Sequence, residues 1–163
     1  VITNSEMYLD SIVVHSNYMR VGSTISNSTL NGGAVTLSGS GQLKNSIVYD
    51  NTGVYTGMNS EVKGVGLFVE GGILIDNCIV VNNNGDSTLG HDNTYINGAT
   101  AVNSIFWHES YRGIGGNGSV SNCLTGTIAG PFTDSSNSSQ YNETNYNGDP
   151  LFCDLSLTNF SKI

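Results

Sequence analysis

The sequence contains few basic residues. It has 5 Lys and Arg against 13 Asp and Glu in 163 residues, which gives a formal net charge of −8 and a pI near 4.4. Five scattered cations displace few counterions from a phosphate backbone, so the charge argues against nucleic acid as a partner. It also argues against attraction to an anionic membrane surface.

Long apolar runs and strong helix formers are scarce as well. No stretch approaches the roughly 20 apolar residues that span a bilayer, so we expect no membrane insertion in this segment. Against 4 Ala and 5 Glu stand 21 Asn, 21 Ser and 14 Thr. Because Asn and Ser compete with helical hydrogen bonds and favour turns, the composition predicts an all-β protein with many turns.

A seven-residue pattern recurs along the chain. Its clearest copies are residues 45–51 (NSIVYDN), 77–83 (NCIVVNN) and 103–109 (NSIFWHE), with weaker copies at 10–16 and from 122 onward. The copies begin 35, 32, 26 and 19 residues apart. A core-facing position precedes each copy by two residues, and it is occupied by Tyr8, Leu43, Ile75, Ala101 and Val120. A Gly-rich link and a β-like run precede most copies, so each repeat consists of strand, turn, strand and variable loop.

Such a repeat cannot bury its apolar side alone, whereas stacked copies share a continuous core. The pattern therefore predicts a parallel solenoid of about five coils with loops of uneven length, in one domain over residues 1–155. Residues 156–163 are expected to be a truncated tail that leads to a missing C-terminal segment. A β-sandwich is the alternative, but it gives no reason for the recurring unit. In the solenoid, Asn45, Asn77 and Asn103 would form a ladder of hydrogen-bonded amides.

The stacking also constrains the cysteines. Cys78 and Cys123 fall in one column but two coils apart, about 9.6 Å by the strand spacing, so we expect them not to pair. Cys153 could reach Cys123 only if the tail folded back, and its pairing stays open.

Two adjacent positions of the repeat are apolar, although neighbouring residues in a strand face opposite sides. If Val48, Val80 and Phe106 point inward, an apolar stripe points outward. It contains Ile12, Ile47, Ile79 and Ile105, and the positions two residues along are Val14, Tyr49, Val81 and Trp107. Long loops or another protein subunit would cover such a stripe, so these residues are a candidate interface.

Candidate ligand-binding residues cluster after the third copy of the pattern. The expected glycan-binding residues, which combine aromatic stacking with bidentate hydrogen bonding, are Trp107, His108, Glu109, Tyr111 and Arg112. The alternative is a Trp packed under a loop beside solvated charges. Asp86 and Asp92 could supply oxygen ligands to calcium, although a solvated loop is the simpler interpretation. No other cofactor is expected.

No catalytic residues can be assigned. Asp50 aligns with His108 and not with Glu109, so the paired carboxylates of a glycoside hydrolase are not apparent. The five basic residues do not cluster with paired Asp in any column. We therefore expect a protein that is not an enzyme. If it is an enzyme, the expected class is a polysaccharide lyase or a glycoside hydrolase.

Three motifs resemble those of a known superfamily. They are residues 32–35 (GGAV), residues 48–51 (VYDN) and residues 148–152 (GDPLF). They are similar to motifs of the right-handed parallel β-helix superfamily typified by pectate lyases. They resemble most the repeats of polymorphic outer membrane proteins and related surface adhesins, with an Asp-Pro-Leu-Phe tail. The resemblance implies an all-β, right-handed parallel β-helix (solenoid) at an extracellular or cell-surface location.

The function expected from these observations is a non-enzymatic surface module for adhesion or for filament or envelope assembly. Its expected partners are a glycan, another protein subunit or further copies of itself. A fragment of a secreted polysaccharide lyase or glycoside hydrolase is the alternative. An ice-binding face is a third hypothesis. It requires a regular array of Thr side chains, and only Thr125 and Thr127 suggest such an array.

Overall fold

The computed structural model describes residues 6–21, 29–55, 61–86, 92–107, 112–125, 140–141 and 146–147. This part of the chain is built from β-strands without a helix, which confirms the predicted all-β class. None of the described residues belongs to a helix long and apolar enough to cross a membrane. The boundary predicted at residue 155 lies outside the described residues and stays a prediction.

The strands form four sheets, and all the pairings within them are parallel. The long-strand sheet contains, in spatial order, β1 (Glu6–Asp10), β5 (Val35–Lys44), β9 (Leu67–Asp76), β12 (Asp92–Val102), β14 (Arg112–Ser121) and β16 (Gln140–Tyr141). The short-strand sheet contains β2 (Val13–His15), β6 (Ile47–Tyr49), β10 (Ile79–Val81), β13 (Ile105–Trp107), β15 (Leu124–Thr125) and β17 (Tyr146–Asn147). The third sheet contains β3 (Tyr18–Val21), β7 (Thr52–Tyr55) and β11 (Asn84–Asp86), and the fourth pairs β4 (Thr29–Asn31) with β8 (Glu61–Lys63).

Successive repeats lie side by side in these sheets. In the short-strand sheet, Ile79 of β10 pairs with Ile47 of β6 on one side and with Ile105 of β13 on the other. The three clearest copies of the seven-residue pattern are therefore in the register that the sequence predicts. Because the strands of a sheet follow one another in chain order, each repeat contacts the repeats before and after it.

The first copy of the pattern is shifted by one residue from its predicted alignment. Val13, and not Ile12, pairs with Ile47. In the long-strand sheet Leu9 pairs with Leu43, while Tyr8 is 65% exposed and does not face the core as expected. The shift arises at the corner between β1 and β2. The left-handed backbone conformation is at Ser11, the second residue of its copy, whereas in the next repeat it is at Asn45, the first residue.

Left-handed backbone recurs at two corners of the repeat, in five repeats at the first corner and in three of the described repeats at the second. The first corner has positive φ at Ser11, Asn45, Asn77, Asn103 and Asn122, and the second at Ser16, Asp50 and Asn82. Asn and Asp tolerate this conformation better than other side chains because they bond locally to the backbone. The recurring Asn of the pattern is therefore explained first by backbone geometry.

The core lies between the sheets. Val48, Val80 and Phe106 point inward and are fully buried, which is the case that the sequence left as a condition. The adjacent column alternates Ser46, Cys78, Ser104 and Cys123, all 2% exposed or less. No disulfide joins Cys78 to Cys123, which confirms that these two cysteines do not pair with each other. Cys153 lies outside the described residues.

A buried carboxamide ladder crosses the stack at a different column from the predicted one. Asn17 Nδ2 donates to Asn51 Oδ1 at 2.9 Å, Asn51 Nδ2 to Asn83 Oδ1 at 2.7 Å, and Asn83 Nδ2 to Asn93 Oδ1 at 2.7 Å. Asn51, Asn83 and Asn93 are at most 2% exposed. The ladder ends at Asn93, which donates to the carbonyl oxygens of Val80 and Trp107.

The predicted ladder of Asn45, Asn77 and Asn103 is present only in part. Asn77 Nδ2 donates to Asn45 Oδ1 at 2.8 Å. Asn45 and Asn103 donate instead to carboxylates, those of Asp10 at 2.8 Å and Asp76 at 3.0 Å. The prediction was thus wrong for Asn103, because a neighbouring carboxylate is the stronger acceptor in reach.

Candidate functional site

The outward side of the short-strand sheet carries two rows of apolar and aromatic side chains, which we call the short-strand face. The first row consists of Val13, Ile47, Ile79, Ile105 and Leu124, and the second of His15, Tyr49, Val81 and Trp107. These residues face outward because their neighbours Val48, Val80 and Phe106 are buried on the inner side. Parallel pairing brings equivalent side chains within about 4.8 Å of each other from strand to strand.

Exposure differs between the two rows. Ile47, Ile79 and Ile105 are partly exposed, and Val13 at the first strand is 59% exposed. In the second row Val81 is fully buried and Trp107 is 8% exposed, so the chain itself covers that end of the row. The accessible part of the short-strand face is therefore the first row, an apolar strip that crosses five strands.

The open end of the second row carries an aromatic stack. The rings of His15 and Tyr49 are parallel within 6°, with their centroids 4.8 Å apart. His15 is exposed and Tyr49 partly exposed. The stack extends the short-strand face toward the first repeat, so the predicted interface residues Ile47, Ile79, Ile105 and Tyr49 do lie on one side of one sheet. Their role as an interface stays a prediction.

The predicted glycan-binding residues are only partly described. Trp107 ends β13, and most of its surface is covered. Arg112 begins β14, where its backbone pairs with that of Asp92. His108, Glu109 and Tyr111 lie outside the described residues. The structure therefore leaves glycan binding by this cluster as a prediction.

The two predicted calcium ligands lie at the ends of two strands that follow one another in the chain. Asp86 is the last residue of β11, and Asp92 is the first residue of β12 and only 1% exposed. Within the described ranges, no three His, Cys, Asp or Glu side chains lie close enough together to hold a metal ion. Calcium binding stays a prediction.

A polar row follows the first corner on the exposed surface. Lys44 Nζ lies 3.8 Å from Asp76 Oδ2, and Asn103 donates to the same carboxylate. In the first repeat, the hydrogen bond from Asn45 lowers the pKa of Asp10. These contacts bind each side chain to the neighbouring repeat, so they satisfy the polar groups of the corner from one repeat to the next.

The long-strand sheet has an aromatic pair on its outward side that sequence reasoning missed. The rings of Phe68 and Tyr95 are parallel within 5° at 5.6 Å, and Lys63 Nζ lies 4.8 Å from the Tyr95 ring centroid. Phe68 and Tyr95 pair across β9 and β12, where the repeat pattern gave no signal because the loops differ in length. The Lys63 ammonium over the ring is a cation–π contact that fixes this pair.

Neither described thiol is suited to nucleophilic chemistry. Burial raises the pKa of Cys78 to about 11, and it also raises the pKa of Cys123. Both thiols are therefore protonated at neutral pH, whereas nucleophilic cysteines require the thiolate. The feature best suited to recognition is thus the short-strand face.

Comparisons of the chain with protein-family models, with curated proteins and with solved structures find no match in any of the three.

Proposed function

We propose that the chain folds as a right-handed parallel β-helix of the pectate-lyase-like kind, with repeats of the surface-adhesin type. The proposal is supported by strands that are parallel throughout and that enter each sheet in chain order, one from each repeat. A crossover connection between parallel strands is right-handed in about 98% of cases, which supports the handedness. The left-handed Asn corners fit tight turns between the sheets.

We propose further that the protein is a non-enzymatic extracellular or cell-surface module for adhesion or for filament or envelope assembly. The observation that carries this proposal is the first row of the short-strand face, where four apolar side chains from Val13 to Ile105 lie in register and are accessible to solvent. A flat apolar strip without charged side chains is a surface that association would bury. Another protein subunit, including a further copy of this chain, is the partner that this strip fits best.

The proposal is tested by placing a charge in the strip. Ile79→Lys puts an ammonium group at its centre, and Thr100→Lys adds the same charge at an exposed position of the long-strand sheet. By sedimentation velocity we expect the wild-type chain and Thr100→Lys to associate at about 100 μM, and Ile79→Lys to stay monomeric or to weaken association about tenfold or more. Equal association of all three proteins would contradict the proposed contact face.

A screen of surface polysaccharides tests the non-enzymatic part of the proposal. Retention of a glycan without any change in its chain length is the expected result for an adhesion module. Cleavage of a polysaccharide by the wild-type chain would contradict the proposal and would favour a lyase or hydrolase. The screen needs only the wild-type chain, so its outcome is independent of the sedimentation experiment.

A further inference from the structure

The long-strand sheet carries an Asn–Gly pair at a break in its strand pairing. Asn97 of β12 pairs with Glu70 of β9 and with Asn117 of β14. The register then shifts on both sides, and Gly98 has no register partner in β9 or in β14. Asn97 is partly exposed, and Gly98 is exposed with a left-handed φ of 77°. The backbone N–H that follows Asn97 therefore belongs to a bulge residue outside the ladder.

An Asn that precedes a Gly can react with its own backbone. The Gly nitrogen attacks Cγ of the Asn, a bond forms between these two atoms, and the Cγ–Nδ2 bond breaks. The N–H proton leaves with the amide nitrogen as ammonia, and water then opens the cyclic imide to Asp or isoaspartate. Gly favours the attack because it has no Cβ atom and adopts backbone angles that other residues rarely reach. The reaction requires a Gly nitrogen outside strand pairing and a carboxamide that can rotate toward it.

Backbone pairing distinguishes this Asn–Gly pair from the others. The sequence has five such pairs, of which four lie wholly within the described residues. In the other three of these four, the Gly is tied to a neighbouring repeat: Gly32 N donates to Lys63 O at 3.0 Å, Gly85 pairs with Gly53, and Gly118 pairs with Ala99. Among the described pairs, Asn97–Gly98 is thus the one whose Gly lies outside the pairing.

Two hydrogen bonds to side chains hold the pair in place. Asn97 Nδ2 donates to Glu70 Oε1 at 3.1 Å, and Gly98 N donates to Asn117 Oδ1 at 2.9 Å. Both bonds lie on the exposed surface, where water can replace the lost partner at little cost. Rotation of the carboxamide breaks the bond to Glu70, so this bond slows the reaction without preventing it.

We propose that Asn97 is a site of spontaneous deamidation and that its hydrogen bond to Glu70 slows the reaction. The product places a second carboxylate against Glu70 where the Asn97 donor was. Because like charges repel, the contact between β9 and β12 loosens at this position. This inference goes beyond the proposed function, because it concerns a covalent change in the long-strand sheet and not association through the short-strand face.

The first test follows the native wild-type chain in neutral buffer over several weeks. Tandem mass spectrometry locates each converted Asn, because exchange of an amide for a carboxyl group raises the mass of the peptide. We expect Asn97 to convert at least about tenfold faster than Asn31, whose following Gly is tied to Lys63. In concentrated urea, where the pairing is lost, the two residues should convert at rates within about threefold of each other.

The second test compares two neutral variants at Glu70. Glu70→Ala removes the acceptor of the Asn97 carboxamide, whereas Glu70→Gln keeps an acceptor oxygen, and both remove the same charge. We expect Asn97 to convert about threefold faster in Glu70→Ala than in Glu70→Gln. The rate at Asn31 should be equal in the two variants, which makes it the internal control for folding.

Hydroxylamine gives a readout that does not rely on the change in mass. It cleaves the chain at a cyclic imide, so we expect the native protein to yield a fragment that begins at Gly98. Absence of this fragment would overturn the proposal.

Two further results would also overturn it. They are equal conversion of Asn97 and Asn31 in the native chain, and equal conversion of Asn97 in the two Glu70 variants. Should Glu70→Ala lose its far-ultraviolet circular dichroism spectrum, the comparison of Asn97 with Asn31 in the wild-type chain decides alone. None of these measurements depends on association of the chain, so their failure is distinguishable from failure of the proposed contact face.

Discussion

Asparagine side chains lie in two rows of this molecule, and the rows differ in burial and in backbone conformation. Asn45 and Asn77 are exposed and have φ of 49° and 54°. Asn51 and Asn83 are 2% and 0% exposed, and their carboxamides bond to each other and to backbone groups. Because water cannot replace a lost bond at the buried row, the ladder side chains should matter more for stability than the corner side chains.

Replacing Asn83 by Leu should lower the free energy of unfolding by about 3 kcal/mol. The substitution removes the acceptor of the Asn51 backbone N–H and the donor to Val48 O at a fully buried position. Asn77→Gly is the matched control, since Gly accepts the left-handed φ and only an exposed bond is lost. We expect the control to cost less than about 1 kcal/mol in urea denaturation. Equal losses of unfolding free energy in the two variants would show that the buried ladder contributes no more to stability than the exposed bond.

The Cys78 thiol should resist alkylation in the folded protein. With a pKa of about 11 against the ordinary 9.0, its thiolate fraction at pH 8 is roughly a hundredfold smaller than in the unfolded chain. Iodoacetamide labelling, followed by mass spectrometry of the Cys78 peptide, should therefore be about a hundredfold slower before denaturation than after it. Because the folded pKa is raised, this thiol favours folding below pH 9, and that contribution is lost as the pH rises toward 11. Rapid labelling of the native protein would contradict the burial of Cys78.

At the residue scale, the sequence indicated where Asn recurs but not which Asn is buried. The corner Asn residues recur at a fixed place in the pattern, so they are visible without a structure. Asn93 completes the ladder from the second residue of β12, only ten residues after Asn83. That contact depends on the length of one loop, and no repeating pattern encodes it.

At the scale of single strands, Gly71 has a conformation that other residues rarely adopt. Its φ is 98°, and a Cβ atom there would overlap the carbonyl oxygen of Gly39 on β5. Gly72 is exposed, and a Cβ atom there would meet nothing within 4 Å. The long strand β9 therefore contains two adjacent glycines, of which only the first is required by its surroundings.

Gly71→Ala should destabilise the protein by about 3 kcal/mol, because it combines backbone strain with a clash against an adjacent strand. Gly72→Ala should change stability by less than about 0.5 kcal/mol. Thermal unfolding of the two variants beside the wild type measures both effects. A similar melting temperature for Gly71→Ala and Gly72→Ala would contradict the close approach of β9 to β5.

The sequence predicted the strands best where the pattern is local. The recurring unit around Ile79 and Val80 identified the short strands, and the structure has them in the predicted register. Since both positions are apolar, the sequence left the inward column as a condition, which the burial of Val80 meets. The burial of Val81 and Trp107 on the outward side was not predictable in the same way. Both are buried although equivalent outward positions such as Tyr49 are partly exposed, and neither spacing nor alternation records that difference.

At the scale of the whole molecule, stability should vary along the stack, because each described strand pairs only with strands of the adjacent repeats. β9 and β10 have paired strands on both sides and contain fully buried residues such as Val69, Ile75 and Val80. β1, β2 and β3 have one partner each and carry the most exposed apolar side chains. The first repeat should consequently open more often than the central repeats.

Hydrogen exchange with mass spectrometry measures this difference directly. We expect amides of β1–β3 to exchange at least about tenfold faster than those of β9 and β10, because local opening at a terminal repeat breaks contacts on one side only. The Val80→Ala variant is the control for coupling. It removes core volume from a central strand, so it should speed exchange in β6, β10 and β13 together. Uniform protection from β1 to β13 would contradict this prediction, because it would mean that the molecule opens only as a whole.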